Sequence, residues 1–111
     1  MKNLTITLQI EGKEKKFVTP SFNNGLFFRR ASDITEMIEG GDVSGQDLDS
    51  LYAFVCDVYE NKFTIEEFEE GTDSRVIIKT VYAVANHIMG NIAEAAKLLG
   101  GEVADDQGKS N

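Results

Sequence analysis

Leu4, Ile6, Leu8 and Ile10 alternate with Thr5, Thr7, Gln9 and Glu11. A period of two sends neighbouring side chains to opposite faces, so the segment reads as a strand with one buried side. Gly12-Lys13 sits between Glu11 and Glu14 as a two-residue connection whose leading glycine suits a type II′ turn. Lys15 to Thr19 then forms the return strand with Phe17 toward the core, and Pro20 ends it for want of an N–H. A hairpin over 3–19 is marginal alone, so its apolar face needs helices to rest on.

The rest of the chain changes period. Leu26, Phe27, Arg30, Ile34, Met37 and Ile38 recur at helical spacing after the turn signal Asn23-Asn24-Gly25, and Gly40-Gly41 supplies a left-handed cap. This predicts a first helix over about 25–39. A second, about 45–60, follows Ser44 and Asp47, with Leu48, Leu51, Tyr52, Val55, Val58 and Tyr59 as its buried stripe. Thr64 with Glu67 forms a capping box, and Phe63 with Phe68 a hydrophobic staple across it, for a short third helix over 65–70. Asp73 is read as the cap of a fourth, over 74–99, with Val76, Ile77, Thr80, Val81, Val84, Ile88, Ile92, Ala95, Ala96 and Leu99 on one broad face and a bend at Gly90.

The expected fold class is therefore α+β and mainly helical: an N-terminal β-hairpin packed on about four α-helices. The hairpin is expected against helices one, two and four. Its strand residues Leu4, Ile6, Leu8 and Ile10 enter the core with Phe17, Ile34, Leu51, Val55, Val81, Val84 and Ile88. One globular domain covers 1–99. Residues 100–111, with no periodicity and one β-branched side chain, read as a flexible tail.

With 111 residues the chain suits a single core. Its one cysteine, Cys56, excludes an internal disulfide, and no apolar run approaches the roughly 18 residues of a membrane helix. The expectation is an intracellular, non-membrane protein. Charge sharpens this: the net charge of −8 opposes binding to a phosphate backbone. It is also segregated. Residues 1–30 hold six Lys/Arg against two acids, net +4, whereas 31–70 hold twelve acids and only Lys62, net −11. Solvated helix faces account for such runs. A sharper reading is head-to-tail self-association, in which Lys13, Lys15, Lys16, Arg29 and Arg30 of one copy meet Glu66, Glu67, Glu69 and Glu70 of the next in a ring or spiral.

Catalytic chemistry finds no constellation. His87 is the only histidine, so no His/Cys zinc cluster can form, and Cys56 beside Val55 has the setting of a small buried hydrophobe. Asp47 and Asp49 begin like a calcium loop, but Tyr52 stands where its glycine belongs. The terminal Gly108-Lys109-Ser110 lacks the first glycine of a phosphate loop, Val103 standing in its place. No catalytic residue, metal or cofactor is expected, and interaction is the favoured class.

Four strings carry a family resemblance: the hairpin LTITLQIEGKEKKFVTPSF, the basic helix start LFFRRASDITEMIE, the acidic LDSLYAFVCDVYENKFTIEEFEEGTD, and the apolar RVIIKTVYAVANHIMGNI. Over residues 1 to about 92 the chain resembles the tail assembly chaperones of long-tailed phages with non-contractile (siphovirus) tails. That resemblance implies a non-enzymatic protein of the host cell cytoplasm. It would bind the long tape measure protein, keep it soluble, assist assembly of tail tube protein, and be absent from the finished virion. It also implies that members are often made in two forms, this chain being the short one. The family lends no catalytic residues. The alternative is an acidic regulatory or adaptor protein that occupies a basic surface as a nucleic-acid mimic.

A chaperone for a helical, partly apolar client needs exposed aromatic anchors rimmed by charge. Phe27, Phe28, Tyr52, Phe54, Tyr59, Phe63, Phe68 and Tyr82 are the pool, and most are needed for packing. Phe28 and Phe54 lie off their helix stripes and are the candidates for client contact.

Overall fold

A computed structural model describes residues 3–100; the expected tail beyond Gly100 lies outside them. An antiparallel hairpin, β1 (Thr5–Ile10) and β2 (Lys13–Val18), leads into helix α1 (Gly25–Glu39). A single 3₁₀ turn at Gly45–Asp47 precedes α2 (Leu48–Val58), followed by α3 (Ile65–Gly71), α4 (Ile77–Ile88) and α5 (Ile92–Leu98). The fold is α+β and mainly helical, with five α-helices among the described residues where about four are expected from the sequence.

The strand alternation holds in the fold. Leu4, Ile6 and Leu8 are buried while Asn3, Thr5, Thr7 and Gln9 are exposed, and Ile10 and Phe17 are half-buried against the same core. Ile6 faces Phe17 and Leu8 faces Lys15 across the ladder. The turn departs from expectation. Ile10 pairs with Lys13, so Glu11 and Gly12 are the central residues, at φ 54° and 79°. Two positive φ values define a type I′ turn, whose twist matches that of the strands, in place of the type II′ turn centred on Gly12-Lys13.

Helix ends follow local chemistry. Asn24 Oδ1 accepts from Leu26 N at 3.0 Å, so the expected turn is the N-cap of α1. Ser44 donates from its N and its Oγ to Asp47 Oδ2. Thr64 and Glu67 form the reciprocal capping box, at 2.9 and 3.0 Å, and the Phe63 and Phe68 rings stack with centroids 6.1 Å apart. At the other ends, three helices close in Schellman fashion. Asp42 N donates to Met37 O, Asn61 N to Cys56 O, and Asn91 N to Asn86 O. The residues in the left-handed position are Gly41, Glu60 and Gly90.

That last cap corrects the long fourth helix. Gly90 at φ +91° ends α4, and α5 starts afresh at Ile92. Asp73 does not cap the helix directly. Its Oδ1 accepts from Arg75 N at 2.8 Å in a turn ahead of it, and Val76 is the N-cap residue.

The hairpin also rests differently from expectation. The helix closest along β1 is α3, not helix one. The contact is made by Gly71, where a Cβ would stand 2.8 Å from Gln9 O and 3.1 Å from Gln9 N. Only a glycine lets the last turn of α3 abut the strand backbone. The end of α2 and α4 also reach the hairpin's open end: Tyr59 donates its hydroxyl to Leu4 O at 3.0 Å, and His87 Nε2 lies 3.5 Å from Thr19 Oγ1. Ala31, Ile34, Leu51, Val55, Val58, Phe68, Val81 and Val84 fill the core between the helices, with Ile88 packed half-buried at its edge.

Candidate functional site

The start of α1 presents apolar bulk to solvent. Phe22, just before it, is 77% exposed, Leu26 70% and Phe28 53%. At 100° per residue, Leu26 and Phe28 flank the outward row Gly25, Arg29 and Ser32, while Ala31, Ile34 and Thr35 turn inward. Asn24, Gly25, Leu26, Phe28, Arg29, Ser32 and Asp33 line an open depression there. Its lining combines small side chains, the two large apolar ones, and the charged Arg29 and Asp33. Such a surface can hold an apolar ridge of a partner and orient it by charge.

Of the two aromatic candidates, only Phe28 lies on this surface. Phe54 is 0% exposed, which corrects the expectation drawn from its place off the α2 stripe. Stripe logic assumes one covered face, but α2 is packed by α1, α3 and α4 together, so its second face is covered too. The Phe54 ring lies 6.5 Å from that of Phe27, and the Arg30 guanidinium stands over both, 5.4 and 5.6 Å from their centroids. Two exposed apolar residues of this surface, Leu26 and Phe22, are not among the sequence candidates. Leu26 belongs to the α1 stripe by spacing, yet it lies in the first turn, ahead of the part that other elements cover. Phe22 falls in no periodic element; the signal was a large apolar residue stranded between Pro20 and a turn.

The charged candidates divide in the same way. Lys13, Lys15, Lys16, Arg29, Glu66, Glu69 and Glu70 are exposed, and none of them forms an ion pair among the described residues. Arg30 is committed within the chain, its guanidinium 3.0 Å from Asp57 Oδ2. Glu67 is spent on the capping box. Both corrections have one cause: a charge run assigns sign to a segment but not a partner to each side chain. The lysines also split between faces of the hairpin, since Lys13 and Lys15 pair with Ile10 and Leu8 whereas Lys16 pairs with Thr7.

Cys56 is buried and free. Burial, with Asp57, Glu66 and Glu67 nearby, pushes its thiol up to about 11, the reverse of an activated nucleophile. His87 is buried in α4, and burial alone lowers its pKa. Its Nδ1 has no hydrogen-bond partner among the described residues. Tyr59 is raised by burial, and Asp73 is held down to about 2 by its hydrogen bonds from Arg75. Among the described residues, no three His, Cys, Asp or Glu side chains are placed to hold a metal ion, and no helix is long and apolar enough to cross a membrane.

Residues 1–104 match the family model described as phage tail chaperone protein, and the chain belongs to that family. No curated protein and no solved structure matches the chain. A role in phage tail assembly, with protein partners, follows from that membership.

Proposed function

We propose that this chain binds the tape measure protein, keeps it soluble before assembly, helps bring tail tube protein to it, and is absent from the finished virion. It acts in the host cell cytoplasm. The observation that carries this reading is the exposed set Phe22, Leu26 and Phe28 on a domain whose other large side chains are mostly packed. A long helical client exposes apolar stripes that aggregate when uncovered, and several weakly bound copies would cover them reversibly. The net charge of −8 keeps the loaded complex soluble. The copies associate with one another through the exposed hairpin lysines and Arg29 against Glu66, Glu69 and Glu70 of a neighbour.

Co-expression tests the client reading. The parent chain is expected to hold the tape measure protein in the soluble fraction, and Phe28→Asp to lose most of that effect while its thermal melting stays near that of the parent. Phe54→Asp is the contrasting control. Burying a carboxylate beside Phe27 is expected to cost several kcal/mol and unfold the domain. A folded Phe28→Asp variant that solubilises the client as well as the parent does would remove this surface from the reading. A salt-sensitive complex with a basic DNA-binding protein, and none with the tape measure protein, would favour the adaptor alternative.

A further inference from the structure

The two outer edges of the hairpin are built differently. Lys13, Lys15 and Lys16 stud β2, and charged side chains on an outer strand discourage pairing with another chain. β1 has no such guard along Thr5–Ile10. Leu4 O accepts from Thr19 N at 3.1 Å, so Leu4 faces β2 as a hydrogen-bonded pair. Counting along an antiparallel ladder, Ile6, Leu8 and Ile10 do the same, and Thr5, Thr7 and Gln9 turn their N–H and C=O groups outward. Gly71 closes over Gln9. None of the hydrogen bonds among the described residues outside the ladder falls on the backbone of Thr5 or Thr7.

A groove of about 600 Å³ runs beside this open edge. The strand lines one side, Val76, Lys79 and Thr80 of the α4 start another, and Leu98, Leu99 and Gly100 the far end. It therefore offers two donors, two acceptors, apolar side chains and the exposed Lys79 ammonium, which has no ion pair among the described residues. The nearby Asp73 carboxylate is taken up by Arg75 at 2.8 Å.

We propose that the β1 edge groove receives the chain's own C-terminal segment, Glu102-Val103-Ala104-Asp105, as an added strand. The connection is short, because Gly100 already lines the groove and only Gly101 intervenes. At about 3.3 Å per extended residue, three residues span the Thr5–Thr7 edge. The composition also fits: Val103 would supply the apolar side chain for Val76 and Leu98, and Asp105, on the same strand face, would complement Lys79. Strand addition would shield the one uncharged edge of the sheet and reserve it for release to an extended partner segment.

Amide hydrogen exchange on the full chain tests this. In the parent, the Thr5 and Thr7 amides are expected to exchange slowly. Val103→Pro with Ala104→Pro should speed both by at least about tenfold, since two successive prolines interrupt either pairing parity, with the Leu8 amide unchanged as the control for folding. Lys79→Glu should speed the same two amides by a smaller factor. Equal rates in the parent and the double-proline chain overturn the proposal. So does protection that survives the prolines and rises with protein concentration, because a second copy would then hold the edge.

Discussion

Phe28 and Phe54 show what single residues disclose in sequence. Each lies off the apolar stripe of its helix, yet one is half-exposed and the other fully enclosed. Periodicity reports the face a helix prefers to bury, not how many neighbours surround it, and α2 is surrounded. Arg30 repeats the point, being a basic residue by composition and in place a cation lodged between two phenylalanines and Asp57. His87 was legible as a core-side residue, and its chemistry leads to a pH dependence. Burial lowers its folded-state pKa below the ordinary 6.5. As pH falls, the unfolded chain takes the proton first, so the stability held by the neutral buried ring is complete above about 6.5 and drains away as pH descends toward the folded value. Thermal melts of the parent are expected to drop between pH 7 and 5.5, and His87→Gln is expected to be flatter over that window.

Among the elements, those written in short local codes were legible. The strand period, the Thr64–Glu67 box and the Phe63–Phe68 staple act over a few residues and appear in the fold where the sequence puts them. What escaped depends on backbone dihedral angles or on distant contact. Gly90 is a helix terminus because its φ is positive, whereas by sequence alone it is also compatible with a bend. Gly71 is explained only by the Gln9 backbone it meets. The end of α2 yields a test. Its left-handed C′ position holds Glu60 at φ 58°, where a Cβ is strained and where the other two Schellman caps use glycine. Glu60→Gly is expected to stabilise the domain by about 0.5–1 kcal/mol, the relieved strain exceeding the added unfolded-state entropy. A urea titration should show a higher midpoint at unchanged slope.

At the scale of the whole molecule, the proposed association between copies rests on charge. Lys13, Lys15, Lys16 and Arg29 lie exposed on the hairpin and the start of α1, and Glu66, Glu69 and Glu70 on α3, in each case without an ion pair among the described residues. The proposed contact is head to tail, with the basic patch of one copy on the acidic patch of the next. A heterologous contact of this kind would leave one patch free on each end copy and so propagate into a ring or a short spiral. Exposed charges a Debye length apart are strongly screened near physiological salt, so such an assembly is weak and responsive to ionic strength. Sedimentation at high protein concentration should show multimers at about 0.02 M salt that dissociate by about 0.5 M. Reversing Glu66, Glu69 and Glu70 to lysine should abolish them, and adding Lys13→Glu, Lys15→Glu and Lys16→Glu on the same chain should restore part of the association by exchanging the two signs. A monomer at every salt concentration would leave these side chains as solvated faces, and the soluble client complex would then rest on the α1 surface alone.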